Sequence, residues 1–348
     1  MTIEHVARQA GVSIATVSRA FNTPQLVARD TLERVQRTAR ALGFIPNASA
    51  RTLRTQRSHI LGVVMPTLLN PVFAECLDGI AAEAQSQGYA IVPLVSDYQV
   101  GREESAIDRL VAHGVDGVIL TVATAARSRS LARLRREGLP YVLAYNRQPR
   151  QPCVSVDGEA ACAEVVDALL ALGHRRIAMV VGTLAASDRA QQRHRGFQRA
   201  LARAGIPPGE LIEVPFLESA TQTIAQRLRG RDRPSALVCS NDLLALRCLR
   251  AAALAGLSVP GDLSVIGFDG IALGEELSPS LATVVQPSRE IGRACVAWLV
   301  RSLREGSAPR AEDSASLPYV IRAGESCAVS PVHGVRRPMR RAPSSRNH

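Results

Sequence analysis

The chain has 348 residues, of which 46% are hydrophobic and only 3% aromatic, so it is long enough for two or three domains with aliphatic cores. Its apolar runs, such as 60–65, are too short to span a bilayer, and its first residues lack the basic start and apolar run of a secretory signal. The seven Cys are an odd number without CxxC spacing, and the seven His are scattered, which favours reduced thiols and no metal. We therefore expect a cytoplasmic protein with neither a membrane span nor a cofactor.

The net charge of +11 is unevenly distributed, and all 42 basic residues are Arg. Residues 1–58 carry nine Arg against three acids, residues 331–348 carry five Arg and no acid, and residues 59–330 are balanced. A basic segment attached to a neutral globule is typical of a protein that binds a polyanion.

Three short helices are predicted before residue 45, because apolar residues recur there at three- and four-residue spacing. The first helix ends at Gly11, and Ser13 is the predicted N-cap of a second helix over 14–21. Asp30 is the predicted N-cap of a third helix, which Gly43 ends.

Two helices joined at AGVS form a helix-turn-helix pattern, in which the second helix enters the major groove of DNA. Arg19 has the reach for a bidentate contact to guanine, and Ile14 and Ala15 fit thymine methyl groups. Short polar side chains beside them suit phosphate oxygens. The predicted DNA contacts on this helix are Ser13, Ile14, Ala15, Thr16, Ser18, Arg19 and Asn22. The alternative is a plain three-helix bundle with a solvated face.

From residue 60 onward, apolar strand-like runs alternate with helical stretches, which predicts parallel sheets covered by helices in two similar lobes. No GxGxxG follows a strand, and GxxxxGK[ST], GxSxG and HExxH are absent, so no catalytic motif indicates an enzyme. The strand-like runs are 60–65, 90–95, 117–120, 141–144, 177–181, 237–239 and 263–268. Helical stretches include 71–87, 158–172, 189–204 and 241–255.

The blocks TIEHVARQAGVSIATVSRAFN and ALGFIPNASARTLRT resemble the lactose-repressor (LacI/GalR) family of bacterial transcription regulators. Further similar blocks follow in order up to residue 326, among them VDGVIL, LGHRRIAMVVG, VCSNDLLALRCL and GLSVPGDLSVIGFDGI. The resemblance implies a small all-α helix-turn-helix headpiece (1–45) and a hinge helix with linker (46–58). It also implies an effector-binding and dimerisation core (59–330) of two Rossmann-like α/β lobes, similar to periplasmic binding proteins. The basic tail (331–348) is predicted to be disordered.

In this family the hinge helices of two subunits pair over the minor groove and wedge a leucine between base pairs. By position in NASARTLRT that leucine is Leu53, with Ala50 beside it and Asn47 as a further DNA contact. An apolar wedge of this kind unstacks a base step and kinks the duplex. The alternative for Leu53 is a core residue of an ordinary linker helix.

The resemblance also implies an effector pocket between the lobes, formed at the carboxyl ends of strands. Asp97 and Arg147 are expected either to line the cleft or to form surface or interlobe ion pairs. The family positions map onto Asn70, Phe73, Arg193, Phe216, Asn241 and Asp269.

Three positions depart from the family pattern: His5, Gly158 and Gly270 stand where a polar or acidic residue is common. We therefore expect the effector to be a sugar, a sugar acid or a similar metabolite, and we assign no specific sugar.

The leading hypothesis is a homodimeric, ligand-responsive repressor of a pseudo-palindromic operator. The alternatives are a solute-binding protein and a sugar-processing enzyme on the same core fold.

Overall fold

A computed structural model of the chain describes residues 1–44, 57–216 and 220–331. The chain divides into two compact units, Met1–Ser58 and His59–His348. The predicted hinge contacts Asn47, Ala50 and Leu53, and the tail after residue 331, lie outside the described residues.

Within residues 1–44, the first unit contains three α-helices, α1 (Ile3–Ala10), α2 (Ile14–Asn22) and α3 (Arg29–Ala41). Small and β-branched side chains from all three form its core, because short helices with such residues can approach closely. The fully buried members Val6 and Val17 show that the predicted apolar stripes face inward.

Two helix starts were predicted in this unit, and the structure confirms one of them. The Ser13 side chain accepts a hydrogen bond from the Thr16 backbone N at 3.1 Å, as an N-cap does. The predicted cap at Asp30 is wrong, because α3 starts one residue earlier, at Arg29, after Ala28. Asp30 lies instead in the first turn, where its negative charge is favourable to the helix dipole.

The second unit alternates strands and helices, as the sequence predicts. Its strands are β1 (Ile60–Met65), β2 (Ala90–Val95), β3 (Gly117–Leu120), β4 (Tyr141–Ala144), β5 (Cys153–Ser155), β6 (Ile177–Val181), β7 (Glu210–Glu213), β8 (Ala236–Cys239), β9 (Ser264–Asp269), β10 (Ala282–Val285), β11 (Ala315–Ser316) and β12 (Val320–Arg322). Its helices are α4 (Pro71–Ser86), α5 (Val100–Ala112), α6 (Arg129–Arg136), α7 (Gly158–Ala171), α8 (Asp188–Arg203), α9 (Thr221–Leu228), α10 (Asp242–Leu254) and α11 (Ser288–Glu305).

In the part of the chain that the structure describes, these strands form two six-stranded sheets, one in each lobe. The order is β11-β5-β4-β3-β1-β2 in lobe 1 and β12-β10-β9-β8-β6-β7 in lobe 2. The helical first unit and the two α/β lobes confirm the predicted fold class. The sheets are parallel as predicted except at one edge, where β12 runs antiparallel to β10.

The polypeptide crosses between the lobes three times within the described residues. It leaves lobe 1 after β5, returns after β10 so that α11 packs on α4 and the lobe 1 sheet, and leaves again between β11 and β12. The crossings leave from β5, β10 and β11, each of which is an edge strand or the neighbour of one in its sheet. We call these crossing segments the hinge region of the core.

Helices α4 and α11 approach each other closely enough for backbone contact. A Cβ added to Gly79 would lie 2.2 Å from the Arg289 carbonyl oxygen, and one added to Gly292 would lie 2.3 Å from the Cys76 carbonyl oxygen. A methyl group therefore cannot be accommodated here without moving a helix.

Gly79→Ala should lower the free energy of unfolding by about 1–3 kcal/mol, because the added Cβ forces α4 and α11 apart. Gly101→Ala is the matched control, since its added Cβ would meet no atom within 4 Å and the residue lies in α5. The control should be neutral or stabilising by up to about 1 kcal/mol. Urea unfolding followed by circular dichroism measures both, and equal effects would contradict the close-packing argument.

Candidate functional site

Helix α2 has one buried, apolar face and one exposed face. Val17 and Ala20 are buried, whereas Ile14, Ala15 and Arg19 are exposed. Ile14 is 49% exposed, and a large apolar side chain at the start of a solvent-facing helix suits contact with thymine methyl groups. The residues predicted to reach base edges therefore share one accessible face.

The polar residues predicted to bind phosphate make hydrogen bonds within α2 itself. Ser13 caps the helix, and its Oγ also lies 2.9 Å from the Thr16 Oγ1. The Asn22 Nδ2 donates to the Ser18 carbonyl oxygen at 2.7 Å. These contacts fix the helix ends, and they leave Arg19 as the long cationic side chain of the exposed face.

A small cavity between the two lobes collects all the predicted effector contacts except Asp97 and Arg147. Its volume is about 30 Å³, which is space for roughly one water molecule. The lobes are therefore closed on each other around it. The lining residues are Asn70, Val72, Phe73, Tyr98, Tyr145, Ser187, Arg189, Ala190, Arg193, Phe216, Ser240, Asn241, Asp269 and Gln286.

The centre of this cavity is a buried ion pair between Arg193 and Asp269. The Arg193 Nη1 lies 3.6 Å from the Asp269 Oδ1. The guanidinium lies 3.6 Å from the centroid of the Phe268 ring and donates a hydrogen bond to the Ser240 carbonyl oxygen. Burial lowers the pKa of Arg193, and the negative charge of Asp269 opposes that shift. Arg193 projects from α8, so the expected strand-end position is wrong for this residue, although it lines the same cavity as Asp269 as expected.

Asp269 is the last residue of β9, and its carboxylate receives hydrogen bonds from both lobes. The Asn70 Nδ2 of lobe 1 donates to Oδ2 at 3.0 Å, and the Gln286 Nε2 donates to Oδ1 at 2.8 Å. Burial raises the pKa of Asp269 to about 7, and the positive charge of Arg193 limits the rise. The group is thus poised to exchange a proton near neutral pH.

The backbone around Asp269 is held in an unusual conformation. Asp269 has φ of 125° and Gly270 has φ of 80°, a region that L side chains rarely adopt. The buried Asp242 carboxylate fixes this turn, because its Oδ2 accepts the backbone N–H groups of Gly270 and Ile271 at 2.8 Å each. A Cβ at position 270 would lie 2.6 Å from the Val285 Cα, so this turn has no room for a side chain unless the backbone moves.

Aromatic side chains form the remaining walls of the cavity. The Tyr98 ring of lobe 1 stacks on the Phe216 ring of lobe 2, with centroids 4.3 Å apart and planes 9° apart. Phe73 meets Tyr145 edge to face at 5.6 Å. Tyr98 and Tyr145 were not predicted from the sequence, although each stands just after a strand and so at the edge where ligands bind.

Asp97 and Arg147 do not line this cavity, and each forms an ion pair. Asp97 pairs with Arg102, five residues along the chain. The Arg147 Nη1 lies 3.3 Å from the Asp157 Oδ2, and Arg147 lines a second, separate cavity. Both residues therefore adopt the ion-pair alternative that the sequence left open.

A second set of hydrogen bonds connects the lobes beside the ion pair. The Asn146 Nδ2 donates to the Asp188 Oδ1 at 2.7 Å, and the Arg189 Nη1 donates to the Val122 carbonyl oxygen at 2.9 Å. Asp188 and Arg189 begin α8, the helix that also carries Arg193. One helix of lobe 2 thus contributes both to the interlobe contact and to the cavity.

The described residues contain no cluster of three or more His, Cys, Asp or Glu side chains arranged to hold a metal ion. Among the helices that the structure describes, none combines the length and hydropathy needed to cross a membrane.

Comparison with known proteins gives matches over both parts of the chain. Residues 2–47 match the family described as bacterial regulatory proteins, lacI family, and residues 166–327 match a periplasmic binding protein-like domain. Catabolite control protein A of Priestia megaterium is 32% identical over 88% of this chain and 93% of its own. The transcriptional repressor CytR of Escherichia coli (strain K12) is 32% identical over 87% of this chain and 90% of its own.

The structure is also similar to solved structures of whole regulators. The lac repressor dimer bound to operator and the anti-inducer ONPF matches with a TM-score of 0.84 and 26% identity. The match covers 94% of this chain and 99% of that one. The relatives named in these matches are transcription regulators and not enzymes.

The raised pKa of Asp269 predicts a specific pH dependence of stability. Between the pKa of an unfolded Asp, about 4, and the folded pKa of about 7, the folded protein holds a proton that the unfolded chain has released. The contribution of the Asp269 carboxyl to the free energy of unfolding is therefore complete at low pH. It falls by at most about 1.4 kcal/mol for each pH unit as the pH rises through that window. Asp269→Asn should remove this slope.

The measurement is the free energy of urea unfolding of wild type and variant at several pH values in that window. Asp262→Asn is the control, because two hydrogen bonds from Ser258 lower the pKa of Asp262, so its difference from wild type should be constant above about pH 5. A constant difference between wild type and Asp269→Asn as well would contradict the raised pKa.

Proposed function

The chain belongs to the lacI family of bacterial regulatory proteins, and we propose that it works as a homodimer whose affinity for operator DNA is set by a small polar metabolite held between its lobes. It is a DNA-binding transcriptional repressor regulated by effector binding, not an enzyme. The observation that carries the effector assignment is the buried pair of Arg193 and Asp269, which lobe 2 presents to the cavity between the lobes with aromatic rings beside it.

The headpiece is proposed to read DNA through the exposed face of α2. Arg19 supplies the base contact, Ile14 and Ala15 supply apolar contacts, and the positive charge of residues 1–58 supplies attraction to phosphate that does not depend on sequence. The hinge contacts at Asn47, Ala50 and Leu53 remain predictions from the family resemblance. A two-fold symmetric dimer places two such helices on a pseudo-palindromic operator.

The proposed effector is a polyhydroxylated metabolite, a sugar or a sugar acid. Arg193 donates to hydroxyl or carboxylate oxygens, and Asp269 accepts from hydroxyl groups. Phe73, Tyr98 and Phe216 provide apolar faces against which the ring of a sugar packs. The cavity of about 30 Å³ in the closed arrangement is far below the several hundred Å³ that small-molecule sites occupy. Entry of the ligand therefore requires the stacked pair of Tyr98 and Phe216 to separate.

Communication between effector and DNA is proposed to run through the relative positions of the lobes. The Asn70 hydrogen bond to Asp269 and the Asp188 contacts join the lobes in the closed arrangement, and a ligand that fits between the lobes changes the balance between closed and open forms. Because both ligand and operator bias the same equilibrium, each changes the affinity for the other by the same factor. The arrangement that the effector prefers decides whether it induces or co-represses.

Arg19→Ala should cost about 1–3 kcal/mol of binding free energy on an operator selected from random DNA, and far less on unrelated DNA, because a base contact is lost. Fluorescence anisotropy on both duplexes measures the difference. Arg37→Ala, in the exposed face of α3, is the charge-matched control and should lower both affinities by similar factors. Equal losses from Arg19→Ala on both duplexes would assign Arg19 to phosphate instead.

Arg193→Ala and Asp269→Ala should each abolish the response to an effector, because each removes one polar anchor of the cavity. A thermal-shift screen of sugars and sugar acids identifies the effector, since a ligand of the native state raises the melting temperature. Operator affinity is then measured with and without it. Arg203→Ala is the control, because Arg203 lies on the same helix but pairs with Asp167 at the surface.

Both cavity variants should remain dimeric and folded without ligand, which sedimentation and melting curves test. A full wild-type response in both variants would place the effector elsewhere in the protein.

A further inference from the structure

The cavity that Arg147 lines lies at the hinge region, apart from the effector cavity. Its volume is about 490 Å³, within the range of about 300–1,000 Å³ of small-molecule sites. Lobe 1 contributes its edge strand β11 and the neighbouring strand β5, and lobe 2 contributes the start of α7 and one face of α8. The lining residues are Arg147, Gln148, Pro149, Cys153, Ser155, Asp157, Glu159, Gln192, Arg195, Arg199, Ala311, Ser314, Ala315 and Ser316.

Helix α8 forms a wall of both cavities. Arg189 and Arg193, four residues apart, line the effector cavity, and Gln192, Arg195 and Arg199 line the hinge cavity. Residues three, four and seven apart share a face of a helix, so two neighbouring faces of α8 present Arg side chains to two different spaces. Each cavity is therefore provided with cations by the same rigid element.

The charges in the hinge cavity are not balanced. Two guanidinium groups share one carboxylate: the Arg195 Nε and Arg199 Nη1 lie 3.2 Å and 2.8 Å from the two Glu159 oxygens. On the opposite wall the Arg147 Nη1 pairs with Asp157 and also donates to the Ser316 Oγ at 3.1 Å. Three cations face two anions among the lining residues, which leaves one positive charge in excess.

These three Arg side chains form ion pairs but remain accessible to solvent. Their side chains are 45% (Arg147), 57% (Arg195) and 53% (Arg199) exposed. Ion pairs of this exposure contribute little to stability, so the guanidinium groups can exchange a carboxylate for a ligand oxygen at small cost. The Gln192 side chain, which is buried, donates to the Arg147 carbonyl oxygen at 3.0 Å and fixes the two walls relative to each other.

We propose that the hinge cavity binds the phosphate group of a small phosphorylated metabolite. Guanidinium groups bind phosphate bidentately, and a phosphate dianion has enough oxygens to contact Arg195, Arg199 and Arg147 together. The excess positive charge and the volume favour a phosphate monoester with a small organic part. Because the cavity walls come from both lobes, the bound anion joins them on the hinge side and stabilises their closed arrangement.

The test is isothermal titration calorimetry of the full chain with glycerol 3-phosphate at constant ionic strength, with glycerol as the uncharged probe. Wild type should bind the phosphate ester with Kd at or below about 1 mM and should not bind glycerol. Arg195→Gln together with Arg199→Gln should weaken binding at least about tenfold, since two of three phosphate ligands are lost. Arg203→Gln, which removes a charge from the same helix outside the cavity, should bind as wild type does.

The basic headpiece also attracts phosphate, and the double variant separates the two sites because it leaves residues 1–58 unchanged. Binding of equal affinity by wild type and the double variant would assign the phosphate to a site outside the hinge cavity, in the headpiece or the effector cavity, and would overturn the proposal, as would absence of binding by wild type. Arg147→Gln, a milder change on the opposite wall, should also weaken binding. It provides the same test if melting curves show that the double variant does not fold.

Discussion

The closed core depends on the burial of one ion pair, Arg193 with Asp269. Two charges taken out of water are stable only if hydrogen bonds and nearby polar groups replace their hydration. Here the guanidinium lies over the Phe268 ring and donates a hydrogen bond to the Ser240 carbonyl oxygen. The carboxylate accepts hydrogen bonds from Asn70 and Gln286. Because Asn70 belongs to lobe 1 and the pair belongs to lobe 2, opening the lobes removes part of this compensation.

The rest of the site is arranged so that this pair can exist. Asp242 holds the turn that directs the Asp269 carboxylate inward, and α8 delivers Arg193 from the opposite side. The same helix starts at Asp188 and Arg189, which hydrogen-bond to lobe 1. The chemistry of the cavity and the mechanics of closure therefore share one rigid helix, so a ligand that contacts Arg193 acts directly on the element that joins the lobes.

Much of the fold follows from the sequence because apolar spacing reports burial directly. The parallel strands such as β1 and β6 are continuous apolar runs and were predicted with their bounds. Strand β7 (Glu210–Glu213) was missed because an edge strand with acidic ends lacks that signal. The family blocks identify Arg193 and Asp269 as residues of one pocket. A motif does not show which element carries a side chain, which is why a strand-end position was expected for Arg193, which lies on α8. Tyr98 was missed because a single aromatic residue after a strand carries no periodic signal.

The three crossings between the lobes have a consequence for how the protein is made. Lobe 1 begins with β1, yet helix α11 and strand β11, which complete it, come only after the whole of β6–β10. A ribosome must therefore synthesise most of lobe 2 before β11 can pair at the edge of the lobe 1 sheet and α11 can pack on the face of that sheet. Until then the lobe 1 face that receives α11 is exposed, and the long sequence separation of these contacts favours slow folding. In the growing chain the lobe that starts first is thus completed late, and its assembly waits on synthesis as far as residue 316.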